Sequence, residues 1–210
     1  IALGVANDGQ FDWTPAAASA AARIRIATTT AGGQPLVAAS HEPFAVGQAG
    51  NVYYVNDAYN AASDSYSNTA GFYLATGTTP NDPLPSIQAV LRSYNVGSGD
   101  TFLVDAGTYA TVTTIALAAA NSGLHIVGPT GAAAVLDRDN ATPAQYVLDI
   151  NNADNVSISG LHFTRGVRGI NAIDADSLIV GGSQAMNNAE VGFAIDPTSN
   201  AVQIRGNTAF

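Results

Sequence analysis

A pair of apolar residues separated by one residue returns several times in the second half of this chain of 210 residues. Alternation with a period of two is typical of a β-strand. Successive copies begin 22, 32, 22 and 24 residues apart. The first members are Phe102, Leu124, Val156, Leu178 and Val202, and the second members are Val104, Ile126, Ile158, Val180 and Ile204. In the last four copies, a glycine stands two residues after the second member.

A repeat of about 22 residues with two or three short strands in each copy is typical of a solenoid. One coil cannot bury its own apolar face, but stacked coils pair their backbones and align their side chains in interior ladders. We therefore expect an all-β chain that folds as a right-handed parallel β-helix. The first members form one predicted ladder, with Phe102 beside Leu124, and the second members form another. A β-sandwich with coincidental spacing is the alternative.

The same register predicts which side chains face outward. One outward column contains Leu103, His125, Ser157, Ile179 and Gln203, and the other contains Asp105, Val127, Ser159, Gly181 and Arg205. Further strands are expected at "YVLDI", "GINAI" and "VGFAI". The long interval between the second and third copies indicates a loop insertion around "LDRDNATPAQ".

One helix is predicted before the first coil, over residues 86–95. Its apolar residues stand at i, i+3, i+4 and i+7 and therefore share one helix face: Ile87, Val90, Leu91 and Tyr94. Ser86 is a suitable N-cap, and the prolines at 83 and 85 suit a helix start. We expect this helix to cap the first coil and to protect its edge from pairing with another chain.

Residues 1–48 follow a different pattern. "GQFDWTP" and "ARIRIATTT" indicate two antiparallel strands, with Ile24 and Ile26 facing inward. The segment is shorter than a β-sandwich of about 100 residues, so we interpret it as the tail of an Ig-like domain or a docked strand pair. Residues 49–210 are the predicted β-helix, with a capping loop and helix at 51–96 and coils at 97–210. The last coil looks incomplete, so we expect the chain to continue into further domains or to assemble through that end.

Composition argues against several classes of function. The net charge of −9 and the pI near 4.3 oppose non-specific binding to nucleic acid or to an anionic membrane. The seven basic residues are all arginine, and the lack of cysteine excludes disulfides and cysteine-ligated zinc. No apolar run in the sequence approaches the roughly 20 residues of a transmembrane helix.

Two segments, "NVYYVND" and "TGTTPNDPLPSIQAVLRSYNVGSGDTFLVDAGTY", resemble the N-terminal end of right-handed parallel β-helix proteins of the pectate-lyase-like superfamily. "NVSISGLHF" and "SLIVGGSQA" resemble the coil repeats of that superfamily, and the similarity covers roughly residues 51–210. The resemblance implies the fold but no single activity, because this fold hosts lyases, hydrolases, epimerases, adhesins and stalks. Together with an Ig-like tail, it is similar to arrangements in very large secreted bacterial proteins. We therefore expect an extracellular or cell-surface location.

The resemblance also implies what an enzyme of this fold would need. Its lyases use an Arg or Lys base and Ca²⁺ held by Asp on the outer strand face, but the predicted outward columns do not stack carboxylates. "RGVRG" at 165–169 differs from the Arg-x-Pro-x-x-Arg motif of pectate lyases, and the Gly-His-Gly signature of polygalacturonases is missing. We interpret the remaining Asp pairs as turn formers that bond their own backbone: Asp137 with Asp139, and Asp174 with Asp176. No catalytic residue is assigned.

One polar loop, "VNDAYNAASDSYSN", contains several oxygen-bearing side chains: Asn56, Asp57, Asn60 and Asp64. Oxygen ligands suit Ca²⁺, so these four residues are our candidate calcium ligands, although the loop does not follow the EF-hand order. A solvated loop with Asx turns is the alternative. Calcium is the only cofactor that the sequence suggests, since none of the three histidines has a His or carboxylate at metal-ligand spacing.

Aromatic residues gather between Tyr53 and Tyr73. Either they stack on sugar rings or they cover the first coil, and the sequence leaves both readings open. Our candidate carbohydrate-binding residues are Tyr59, Tyr66, His125, Arg165 and Arg168.

The sequence favours a non-catalytic structural or adhesive module of a large extracellular protein, with polysaccharide or copies of itself as partners. One alternative is a carbohydrate-active enzyme whose catalytic coils follow residue 210. Another is a carbohydrate-binding module that uses the outer face.

Overall fold

A computed structural model describes residues 19–22, 25–29, 33, 35–39, 44–46, 50–140, 142 and 144–210. The chain divides into two compact units, residues 1–49 and 50–210. In the first unit, β1 (Ser19–Ala22) pairs antiparallel with β4 (Phe44–Val46), and β2 (Arg25–Thr29) pairs antiparallel with β3 (Pro35–Ala39). The predicted strand at "GQFDWTP" and the side chains of Ile24 and Ile26 lie outside the described residues.

The second unit is a parallel β-solenoid of about four turns, which confirms the predicted fold class. Its strands form three parallel sheets. The first sheet contains β5 (Val52–Val55), β6 (Thr101–Val104), β9 (His125–Val127), β12 (Ser157–Ser159), β15 (Ile179–Gly181) and β18 (Gln203–Arg205). The second contains β7 (Gly107–Ala110), β10 (Ala134–Asp137), β13 (Leu161–Thr164), β16 (Gln184–Met186) and β19 (Thr208–Ala209). The third contains β8 (Ile115–Leu117), β11 (Leu148–Asn151), β14 (Arg168–Ile173) and β17 (Val191–Ile195).

The predicted register is confirmed for the last four copies and is wrong for the first. Ile126, Ile158, Val180 and Ile204 are aligned across β9, β12, β15 and β18. However, Phe102 pairs with Ile126 and not with Leu124. The position of Leu124 is taken in the first coil by the buried Asp100, whose carboxylate accepts from the backbone N–H of Asn51 at 2.7 Å and of Gly97 at 2.9 Å. A shift of two residues leaves every side chain on the same face of a strand, so the alternation of the sequence does not reveal it.

The interior is apolar along all three sheets. Phe102, Leu124, Ile158 and Val180 are fully buried, whereas Ile204 in the last coil is 40% exposed. Burial of each such side chain stabilises the fold by about 1.5–3 kcal/mol. His125 and Gln203 are exposed, as the outward columns predicted.

Polar side chains stack at the corner between the third and first sheets. Asp154 N–H donates to Ser122 Oγ at 3.0 Å, Asp176 N–H donates to Asp154 Oδ1 at 2.9 Å, and Asn200 N–H donates to Asp176 Oδ1 at 2.7 Å. The residues that follow in the last three coils have a left-handed φ between 55° and 57°: Asn155, Ser177 and Ala201. Each side-chain bond to the neighbouring coil offsets part of the cost of that conformation.

The predicted insertion is confirmed, because ten residues separate β10 from β11 and only three separate β13 from β14. Arg138 is buried beneath it and donates through Nη1 to the carbonyl oxygens of Thr111 and Val112, at 3.1 and 2.9 Å. The insertion is thereby fastened to the preceding coil.

Helix α1 (Ile87–Ser93) is the predicted cap, two residues shorter at its C-terminus than expected. Ser86 Oγ accepts from Ala89 N–H at 3.2 Å, which confirms the N-cap. Ile87 and Val90 are fully buried and Leu91 packs against the core from a partly buried position. In the described residues, no helix is long and apolar enough to cross a membrane.

Candidate functional site

A buried carboxylate fastens the loop that precedes helix α1 to the first coil. Asp105, directly after β6, is fully buried. Its Oδ1 accepts from the N–H groups of Ser65 at 2.6 Å and Tyr66 at 2.8 Å, and its Oδ2 accepts from Ser67 N–H at 2.6 Å. The sequence placed Asp105 in an outward column, and this is wrong because β6 ends at Val104 and the strand alternation ends with it.

Tyr109 completes this anchor from the next strand. Its hydroxyl donates to Asp105 O at 2.8 Å and reaches Val55 O at 3.3 Å. Burial first, and then the negative charges of Asp57, Asp105 and Asp64, raise the pKa of Tyr109 far above its ordinary value of 10.0. The phenol therefore stays protonated and remains a hydrogen-bond donor.

Asp57 joins the same loop to β7. Its Oδ2 accepts from Thr108 N–H at 2.8 Å, and its Oδ1 accepts from Ala58 N–H at 2.6 Å. A Cβ atom at Gly107 would lie 2.1 Å from Asp57 Oδ1, so only glycine permits this close approach.

Two shallow cavities adjoin at Asp57 and Thr108, which line both of them, and we call them together the Asp57 groove. The cavity beside α1 has a volume of about 390 Å³ and is lined by Tyr73, Gln88, Arg92, Val112 and neighbouring residues. The other has a volume of about 480 Å³ and is lined by Tyr59, Asn60, Ala133, Val135 and neighbouring residues. The groove thus runs from the helix across the outer face of the second sheet.

The rim of the Asp57 groove is aromatic and apolar. Tyr73 is 73% exposed, Tyr59 is 48% exposed and Val112 is 83% exposed. Tyrosine presents a flat apolar ring with a polar tip, a combination suited to ligands that are apolar on one face and hydroxylated at their edges. The one carboxylate in the groove, Asp57, is already bonded to two N–H groups.

Of the predicted carbohydrate-binding residues, Tyr59 alone lines the groove. Tyr66 is half-buried and its hydroxyl donates to Gly128 O at 2.9 Å; burial and the charge of Asp105 raise its pKa. His125 lies on the outer face of the first sheet, with Nδ1 2.5 Å from Ser157 Oγ.

The two predicted arginines lie elsewhere, at the corner between the second and third sheets. Arg165 pairs with Asp137 and, at 2.7 Å, with Asp139; the hydrogen bond from Asp137 raises the pKa of Arg165. Arg168 Nε lies 2.9 Å from Glu190 Oε2. Both guanidinium groups therefore have carboxylate partners within this unit, and the structure does not bring the five predicted residues together.

Arg168 also belongs to a polar network that sequence reasoning missed. Its Nη1 donates to Asn171 Oδ1 at 2.7 Å, Asn171 Nδ2 donates to Asp149 Oδ1 at 2.7 Å, and the guanidinium lies 5.5 Å from the centre of the Tyr146 ring. Asp149 and Asn171 are paired residues of β11 and β14, so the predicted 22-residue period would have placed them side by side.

The predicted calcium ligands fall into two groups. The side-chain oxygens of Asp57 and Asn60 accept from backbone N–H groups, with Asn60 Oδ1 3.1 Å from Ala62 N. Asn56 and Asp64 are bonded to each other, from Nδ2 to Oδ2 at 3.0 Å. Within the described part of the chain, no group of three or more His, Asp or Glu side chains is placed to hold a metal ion.

Comparison with known proteins gave no match: no protein-family model, no curated protein and no solved structure is significantly similar to this chain.

Proposed function

We propose that this chain is a non-catalytic module of a large extracellular or cell-surface protein, and that its Asp57 groove binds a neutral polysaccharide. The observation that carries the proposal is the groove itself, where exposed tyrosine rings border an open trough on a rigid β-solenoid. An extended sugar chain has apolar ring faces and hydroxyl edges, which match such a rim.

The charges of the chain favour a neutral ligand over an acidic one. The net charge is −9, so a polyanion is repelled at long range. Asp57 lies within the groove, and Arg92 is the basic residue on its wall. A neutral sugar chain avoids the repulsion and still finds hydrogen-bonding partners in both side chains.

The carboxylates near the groove support a binding role over catalysis. A general acid or base needs a carboxyl group free to exchange a proton with the substrate. Asp57 and Asp105 instead accept from two and three backbone N–H groups respectively, which favour their charged forms. The finer relationships, to the pectate-lyase-like superfamily and to an Ig-like tail, are part of this proposal and rest on the quoted sequence segments.

Affinity electrophoresis through gels that contain neutral or acidic polysaccharides tests the proposal. We expect a neutral polysaccharide to retard the protein, and Tyr73→Ala to weaken this binding at least tenfold. Phe72→Ala is the matched control, because Phe72 is 51% exposed and lines neither part of the groove.

No retardation by any polysaccharide, or equal weakening by both substitutions, contradicts the proposal. Release of reducing ends or of unsaturated sugars would instead favour the carbohydrate-active alternative. Self-association through the last coil stays a prediction, to be checked by sedimentation.

A further inference from the structure

We infer that the loop of residues 56–69 binds one divalent cation, Ca²⁺ by its ligand chemistry, through the side-chain oxygens of Asn56 and Asp64. This site is distinct from the Asp57 groove. The inference starts from buried oxygen atoms in this loop that have no hydrogen-bond donor among the residues that the structure describes.

Asn56 provides the first of these atoms. The residue is fully buried, and its Nδ2 donates to Asp64 Oδ2 and to Thr69 O, both at 3.0 Å. Its amide nitrogen thereby has two acceptors, whereas Oδ1 is buried and has no partner. Buried amide oxygens in native proteins are nearly always paired with a donor, a water molecule or an ion.

Two further oxygens of the same loop share this property. Asp64 Oδ1 and Ser67 Oγ are buried and have no partner. Together with Asn56 Oδ1, they make up three of the five unpartnered buried side-chain atoms in the described residues. Asp64 lies against Asn56 through their hydrogen bond, so a carboxylate oxygen and an amide oxygen lack a positive partner side by side.

The surrounding charge favours a cation in this place. Residues 50–91 contain three aspartates and no basic residue. Asp105 adds a buried negative charge where it binds the N–H groups of residues 65–67. A bound cation would provide the positive charge that this loop lacks and would satisfy the unpartnered oxygens.

Ca²⁺ fits the ligand types better than Mg²⁺. Calcium accepts six to eight oxygen ligands in a flexible geometry and completes its shell with carbonyl oxygens and water, whereas Mg²⁺ demands near-ideal octahedral positions. Asp64 is the one carboxylate in the set, and a low ligand charge gives weak affinity, so we expect a dissociation constant of about 10⁻⁴–10⁻³ M, the range of extracellular calcium modules.

Calcium titration of the chelator-treated protein, without polysaccharide, tests the site by calorimetry and by thermal melting. We expect one equivalent of Ca²⁺ to bind, with a saturable rise in Tm. Asp64→Asn keeps an oxygen acceptor for Asn60 N–H but removes the charge, and it should weaken binding at least tenfold. Asp82→Asn is the matched control, because it removes one charge from the same region where Asp82 bonds Thr76, and it should leave the calcium response intact.

No saturable heat in the wild-type protein up to about 10 mM Ca²⁺ overturns the inference and indicates a buried water molecule instead. An unchanged response in Asp64→Asn overturns the assignment of ligands. The calorimetric result on the wild type does not depend on whether the variant folds. Failure of calcium binding leaves the polysaccharide assay unaffected, so the two proposals are tested separately.

Discussion

The cap region, residues 50–96, and the coils, residues 97–210, are stabilised by different kinds of contact. In the coils, equivalent apolar side chains repeat from turn to turn, and each turn also adds backbone bonds to its neighbours. In the cap region, a few carboxylates hold long loops, and the chief of these is the fully buried Asp105. Distributed contacts tolerate the loss of one member, whereas a single anchor with three bonds does not.

The helix is where the two kinds of contact meet, and a charge there should have the largest effect. Val90→Asp places an unpaired carboxylate at a fully buried position. We expect the free energy of unfolding to fall by about 3–5 kcal/mol, measured by urea denaturation. Ser93→Asp, on the exposed end of the same helix, is the control. Equal midpoints for both variants would show that the helix does not seal the first coil.

Loss of the anchor should have the next largest effect. Asp105→Ala leaves the N–H groups of Ser65, Tyr66 and Ser67 without their acceptor. Because each unsatisfied buried group costs about 1–3 kcal/mol and part of the loop can turn to water, we expect a loss of about 3 kcal/mol in the same assay. A change below about 1 kcal/mol would mean that the anchor is redundant.

A conservative deletion in the coils should cost less. Ile158→Val removes one methyl group from the fully buried ladder beside Ile126 and Val180. We expect a loss of about 0.5–1.5 kcal/mol in the free energy of unfolding. A loss as large as that of Asp105→Ala would contradict the idea that the ladder shares its load among turns.

A histidine on the second sheet should give the smallest effect, and one that depends on pH. Burial lowers the pKa of His162 below its ordinary value of 6.5, so the unfolded chain binds this proton more readily than the folded chain does. The contribution of neutral His162 is present above about pH 6.5 and is lost as the pH falls towards the folded pKa. His162→Gln should flatten the dependence of Tm on pH in that window. An unchanged slope would contradict the assignment.

The two regions also differ in how far the sequence predicts them. Alternation identifies the strands, and the spacing of Ile87, Val90 and Leu91 identifies the capping helix, because both signals are local. The pairing of Phe102 with Ile126 was missed because a slip of two residues preserves the alternation. The burial of Asp105 was missed because its partners stand about 40 residues earlier in a loop without periodicity.

The candidate site is less predictable still. Asp57, Tyr73, Arg92 and Thr108 meet in the groove only after the loop has folded over the first coil. Their separations in sequence follow no period, and Asp57 carries no local sign that it binds Thr108. The sequence indicated the chemistry of the loop, its aromatic and oxygen-bearing residues, but not which of them share a surface.

Native-state hydrogen exchange compares the two regions most directly, since it resolves individual amides. The account predicts that in Asp105→Asn the amides of Ser65, Tyr66 and Ser67 exchange at least tenfold faster than in the wild type, while those of Ile126 and Ile158 in the coils are unchanged. Equal acceleration in the loop and in the coils, or none in the loop, would contradict the claim that one buried carboxylate holds the cap region.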